Sequence, residues 1–219
     1  ALGVLRDAVS EQSEWVKIHA AEGLLWGGEA DNLAEIFEAE LVTAEPPYRV
    51  GVLRVLAQAA GDNKALRQEY VARVLAIFND AEAADRLHAL ETLAKLGYAE
   101  RTDDVLAATE PGADKFQVYA RWIVANSDKP GDQAPLAELL GGDDASLRTG
   151  AAYALRHRES LSPESIAALA EALATQADDE PGDVYLQSAW YVHGQAEDEL
   201  ADRTAMLSFL ESDQKHERN

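Results

Sequence analysis

Six segments of this chain align with one another without a gap, and that self-similarity limits the fold more than any other feature of the sequence. They are Val16–Leu24, Arg49–Leu56, Asp85–Leu93, Phe116–Val124, Leu147–Leu155 and Val184–Val192. Each carries a small or β-branched anchor, at Ala20, Val52, Ala89, Ala120, Ala151 and Ser188, and a large aliphatic residue four places on, at Leu24, Leu56, Leu93, Val124, Leu155 and Val192. The anchors lie 32, 37, 31, 31 and 37 residues apart. An i, i+4 pair falls on one helix face, so every copy reads as a helix that points one small and one large apolar residue the same way. Three residues before the anchor stand Lys17, Arg49, Arg86 and Arg148, with Gln117 and Tyr185 departing from the pattern.

Between these motif helices the sequence predicts a second set, over Leu33–Leu41, Leu66–Phe78, Asp103–Ala108, Pro135–Leu140, Ile166–Thr175 and Ala201–Leu210. Turn residues mark the joins: Gly27-Gly28, Pro46-Pro47, Gly97, Pro111-Gly112, Pro130-Gly131, Gly141-Gly142 and Pro181-Gly182. Ser162-Pro163 reads as an N-cap followed by proline at the first helical position. Nothing alternates with a period of two, so the fold class expected is all-α. No run of 18 apolar residues occurs, which argues against membrane insertion.

A basic residue, then small residues, then Leu, on one helix of a pair recurring every thirty-odd residues, resembles the HEAT family and in particular the HEAT-like repeats named after phycobilin lyases. Arg86–Gly97 and Arg148–Leu155 carry the pattern most fully. The resemblance implies a right-handed α-solenoid of about six antiparallel helix pairs, forming one domain over residues 1–211 with a polar tail at 212–219. Leu2–Val9 would cap its first end. It also implies a binding scaffold and no enzyme, because the family is mostly made of such scaffolds.

Equivalent positions of stacked repeats line up side by side, and three columns stand out. One residue before the anchor come His19, Gly51, His88, Tyr119, Gly150 and Gln187. Two after it come Glu22, Arg54, Glu91, Trp122, Tyr153 and Trp190. Six after it come Trp26, Gln58, Lys95, Asn126, His157 and Gly194. At i, i+3 and i+7 these form one ridge per helix, and Trp15 extends it in the first copy. The ridge is neither apolar nor a plain Glu/Lys face. Aromatic stacking area beside directional Glu, His, Arg and Lys groups marks a recognition surface for a protein or peptide segment. The alternative is a small-molecule or glycan-binding domain of a larger protein, the CH faces of a sugar stacking on the rings, and a metal-dependent or lyase-like enzyme stands behind both. The same residues also suit packing between repeats, with the aromatics filling gaps.

Other chemistries find less support. His19-Ala-Ala-Glu22 and His88-Ala-Leu-Glu91 have helical metal-ligand spacing, but they lie two repeats apart, about 16–20 Å when helices pack 8–10 Å apart. Phosphate loops, metalloprotease motifs and nucleophile elbows are absent, and with no cysteine in the chain thiol chemistry is excluded. No cofactor is called for. Asp143-Asp144 and Asp178-Asp179-Glu180 sit in predicted turns, where helix capping explains them. Forty acidic residues against 19 basic ones give a net charge of −21, which repels phosphate backbones and argues against nucleic-acid binding.

Overall fold

A computed structural model describes residues 2–110, 115–127, 129, 131–175 and 184–193. Outside them lie the expected helix Ala201–Leu210, the tail 212–219, the acidic run Asp178–Glu180, Gly194, and the turns Pro111-Gly112, Pro181-Gly182 and Pro130. The described residues are all-helical and contain no strand. Twelve α-helices are seen among them: α1 (Leu2–Glu11), α2 (Glu14–Trp26), α3 (Leu33–Leu41), α4 (Tyr48–Ala59), α5 (Lys64–Asn79), α6 (Arg86–Lys95), α7 (Asp103–Ala107), α8 (Lys115–Ala125), α9 (Ala134–Ala137), α10 (Ala145–Arg156), α11 (Pro163–Thr175) and α12 (Val184–Val192). A 3-10 turn, Glu138–Gly141, continues α9. None of these helices is long and apolar enough to cross a membrane.

The chain falls into two compact units, Ala1–Tyr98 and Ala99–Asn219. In the first, α1 packs on α2, α3 on α4 and α5 on α6, while α2, α4 and α6 lie side by side. α1 is therefore the packing partner of α2. Contacts keep the same order along these three helices: Trp15 and Ile18 lie against Gly51, and Glu22 reaches Arg54. Across the next gap Trp15 reaches His88 and Arg54 reaches Thr92, so the three motif helices run parallel. α4 is the middle helix, and every residue from Val50 to Ala57 is buried. In the second unit α10 packs against both α8 and α12, with α9 and the 3-10 turn against α10 and α11.

The small anchors permit this packing. Ala20, Val52, Ala89, Ala120, Ala151 and Ser188 are all buried, as are Leu24, Leu56, Leu93, Val124 and Leu155, whereas Val192, the sixth aliphatic residue of the pattern, is exposed. The basic residues before the anchor tie helix starts to neighbouring ends. Arg86 donates to the Phe78 carbonyl at 2.7 Å from the last turn of α5, with its guanidinium 5.0 Å from the Phe78 ring. Arg148 donates to the Gly142 carbonyl at 2.8 Å, and Arg49 makes a two-pronged pair with the fully buried Asp85 at 2.7 and 2.9 Å. Lys17 pairs with Glu40 on α3 while its ammonium lies 5.6 Å from the Phe37 ring.

Helix ends follow local chemistry. Asn63 accepts from the Leu66 N–H and starts α5 two residues before the predicted Leu66. Ser162 caps α11 through the Ser165 N–H, with Pro163 in the first turn. α2 and α6 finish alike. Gly28 and Gly97 have φ of 78° and 72°, and the residues after them, Glu29 and Tyr98, donate back to Leu24 and Leu93 at 2.9 and 3.0 Å. This is a Schellman ending, which glycine adopts without a Cβ penalty. It makes Trp26 and Lys95 last-turn residues of their helices.

Candidate functional site

The ridge of the first unit is a layer of side chains over α4. On α2, Trp15, His19, Glu22 and Trp26 fall within about 60° of one another at 100° per residue. On α4 the ridge is Gly51, Arg54 and Gln58; on α6 it is His88, Glu91 and Lys95.

At the first level, the Trp15 ring crosses α4 to stack on His88, with centroids 5.6 Å apart and planes 25° from parallel. Gly51 makes that crossing possible. A Cβ there would sit 2.9 Å from Trp15 Cζ3 and 3.1 Å from Ile18 Cγ1, closer than van der Waals packing allows. Trp15 also meets His19 at 6.4 Å and Tyr48 edge-on at 6.3 Å. Burial, followed by its bond to Glu40 at 2.7 Å, raises the Tyr48 hydroxyl above the usual phenol range. The ring therefore stays neutral.

At the second level, Arg54 is 2% exposed. A guanidinium at that depth needs partners, because an unpaired buried charge is strongly destabilising. It has them: its Nε donates to Glu22 at 2.5 Å and its Nη1 to the Thr92 hydroxyl at 3.1 Å. His19 Nδ1 lies 3.1 Å from the other Glu22 oxygen, and Lys95 pairs with Glu91 at 2.8 Å along α6. Burial pushes the Glu22 carboxyl up, but the His19 hydrogen bond, the charge and bond of Arg54 and the charge of Lys95 outweigh it, bringing it down to about 2. For Glu91 the opposing burial is outweighed by Lys95, then by Arg54 and His88, and its carboxyl also lies below its ordinary value. Two carboxylates and two cations thus alternate across α2, α4 and α6, with the ridge fixed from beneath. At the third level, Trp26 stands 90% exposed. Beside it in register, Gln58 keeps its side-chain oxygen shielded.

In the second unit the ridge turns inward. Trp122 on α8 is 2% exposed, with Tyr153 edge-on at 6.0 Å and His157 stacked at 5.6 Å and 24°. Tyr153 meets His157 at 4.8 Å and Tyr185 at 5.0 Å, and the Arg156 guanidinium lies 5.2 Å from both tyrosine rings. Gly150 lets α10 approach α8, since a Cβ there would come within 3.0 Å of Val118. Tyr119 and Trp190 are half-buried.

Of the thirteen residues singled out from the sequence, seven form the ordered ridge of the first unit: Trp15, His19, Glu22, Arg54, His88, Glu91 and Lys95. Trp26 continues it as an exposed ring. Trp122, Tyr153 and His157 form the second cluster, in which His157 is exposed. Arg54 and Trp122 are packed inside, so a ligand on either unit would touch their neighbours and not these two. Thr92, Tyr48, Tyr185 and Arg156 join the clusters without having been anticipated. Thr92 had a visible signal: it is the one aliphatic hydroxyl in its column, where the other copies carry Gly23, Val55, Ile123, Ala154 and Tyr191. Among the described residues, no three His, Asp or Glu side chains gather as metal ligands would.

No protein-family model matches the chain. No curated protein is significantly similar to it in sequence.

Proposed function

We propose that this chain is a non-enzymatic HEAT-like scaffold, a right-handed solenoid of about six helix pairs, and that it binds an extended segment of a partner protein across the ridge of its first unit. The observation that carries this reading is pre-organisation. Three parallel helices present Trp15, His19, Glu22, His88, Glu91 and Lys95 as one continuous layer, held by the buried Arg54 beneath. Binding to side chains whose rotamers are already fixed costs little conformational entropy, which is the usual reason a helical-repeat surface binds well. The layer mixes ring faces with carboxylate and cation edges, the chemistry of a peptide-binding surface. Recurrence of a basic residue, a small anchor and an aliphatic residue along both units supports the HEAT-like reading.

The test is selection of peptides from a random display library on the purified chain, followed by affinity measurement with His19→Ala and Glu91→Gln variants. The His19 side chain is 63% exposed, so its truncation leaves folding intact. An enriched peptide family whose binding falls about tenfold or more in these variants supports the assignment. Enrichment of nothing above background, or of peptides indifferent to both substitutions, overturns it.

A further inference from the structure

The third level of the ridge holds the most exposed large apolar side chain among the described residues, Trp26. It closes α2, held there by the Gly28 turn, one helical turn beyond Glu22 and on the same face. Two physical features of its surroundings say what would cover the indole. The first is charge. Residues 1–98 carry 16 acidic against 9 basic side chains, a net of −7, and the whole chain carries −21. The loops that follow α2 and α4 bring Glu29, Asp31 and Asp62, of which Glu29 is paired with Arg6 of α1. α2, α4 and α6 also run parallel, so the negative ends of their dipoles lie along this one edge. The second feature is the fixed carboxylate of Glu22. It is anchored by Arg54 and His19 and stands about one 5.4 Å turn from Trp26, the reach of a cation seated on the indole face.

We infer that Trp26, with Glu22 one turn away, is the anchor for a cationic side chain, lysine or arginine, of the partner segment. The inference rests on the binding role proposed for the ridge and gives it a partner chemistry: a basic segment whose guanidinium or ammonium lies on the Trp26 ring. The ring supplies the cation–π attraction, the carboxylate supplies the counter-charge, and the negative field of the chain raises the encounter rate. The cations already on the ridge are themselves paired, and an incoming cation shares the Glu22 carboxylate with Arg54 and His19. Arg54 is buried against Glu22, and Lys95 is paired with Glu91.

The experiment is NMR of the full chain with 15N-labelled tryptophan, the Trp26 indole signal being the one lost in Trp26→Ala. It is titrated with a capped tri-arginine peptide and with the matching tri-glutamate peptide. The result expected is a saturable shift of the Trp26 signal with the arginine peptide alone, weaker at high salt. Affinity should fall about three- to tenfold in Trp26→Ala and mostly recover in Trp26→Phe, which keeps a ring. Thermal unfolding of both variants shows that the fold is retained, as expected for so exposed a ring. A Trp26 signal that does not move, or arginine-peptide affinity unchanged in Trp26→Ala, overturns the anchor. The two readings separate through a display-selected peptide. If it depends on His19 but not on Trp26, the ridge still binds and the anchor fails. If it depends on neither, both fail.

Discussion

Replacing Arg54 by methionine keeps the apolar stem of the side chain and removes the charged guanidinium, leaving Glu22 facing α4 without its main counter-ion. The fall of the Glu22 carboxyl from 4.5 to about 2 corresponds to about 3 kcal/mol of preference for its ionised form in the folded chain. Arg54 supplies only part of that, alongside His19 and Lys95. Removing one member of a buried pair costs about 3–5 kcal/mol in general. The 21% exposure of the Glu22 side chain allows some rehydration, which places the expected loss at the lower end, about 3 kcal/mol. With a urea m-value of about 2 kcal/mol per molar, the unfolding midpoint of the first unit should drop by about 1.5 M. Arg54→Met/Glu22→Gln should recover most of this, because neither partner is then left charged and alone. The pH dependence follows the same logic. The folded value of Glu22 lies below its unfolded value, so its contribution is complete above about 4.5 and is lost as pH falls towards 2. Arg54→Met should therefore flatten the acid limb of the stability curve between pH 5 and pH 2. Urea unfolding followed by circular dichroism reads both effects. A single variant within about 0.5 kcal/mol of the parent, or a double variant no more stable than the single, would refute the reasoning.

Three further outcomes are expected. Gly51→Ala places a methyl 2.9 Å from the Trp15 ring and should cost about 1–3 kcal/mol by overpacking, whereas Gly3→Ala in α1 meets nothing within 4 Å and should be neutral or slightly stabilising; thermal melts separate the two. Trp122→Ala empties a buried site and should cost about 3–5 kcal/mol, while Trp26→Ala stays within about 0.5 kcal/mol, as paired urea titrations will show. Asp85→Ala strips the two-pronged partner from Arg49 and opens a buried polar site at the start of α6, for an expected loss of about 2–4 kcal/mol by the same titration.

Much of the helical pattern could be read in advance because local chemistry sets it. α3 and α12 occur over the residues expected, since apolar periodicity decides their extent. α5 is longer than the apolar periodicity predicts because Asn63 caps it. The second helix before Gly141-Gly142 is shorter as an α-helix, tightening into a 3-10 turn from Glu138 to Gly141. The ridge residues were legible as a set, since helical spacing places them on one face. Their depth was not. Periodicity says which residues share a face but not whether a neighbour covers it, and α4 is flanked by α2 and α6 with Trp15 and Glu22 reaching over it. Arg54 and Trp122 therefore share the spacing of the ridge yet are packed beneath their neighbours. The Trp15–His88 stack was hidden for a related reason: the two residues lie two motif helices apart, and Gly51 between them is what brings them together.

The most direct test of the central claim, that the ridge over α4 is a pre-organised surface for a partner segment, is hydrogen exchange of the full chain with and without a display-selected peptide. The account expects added protection in α2 and α6 around Trp15–Trp26 and His88–Lys95. The buried centre of α4, Val50–Ala57, should already exchange slowly without peptide. Protection confined to other helices, or a ridge that exchanges fast until the peptide arrives, would contradict it.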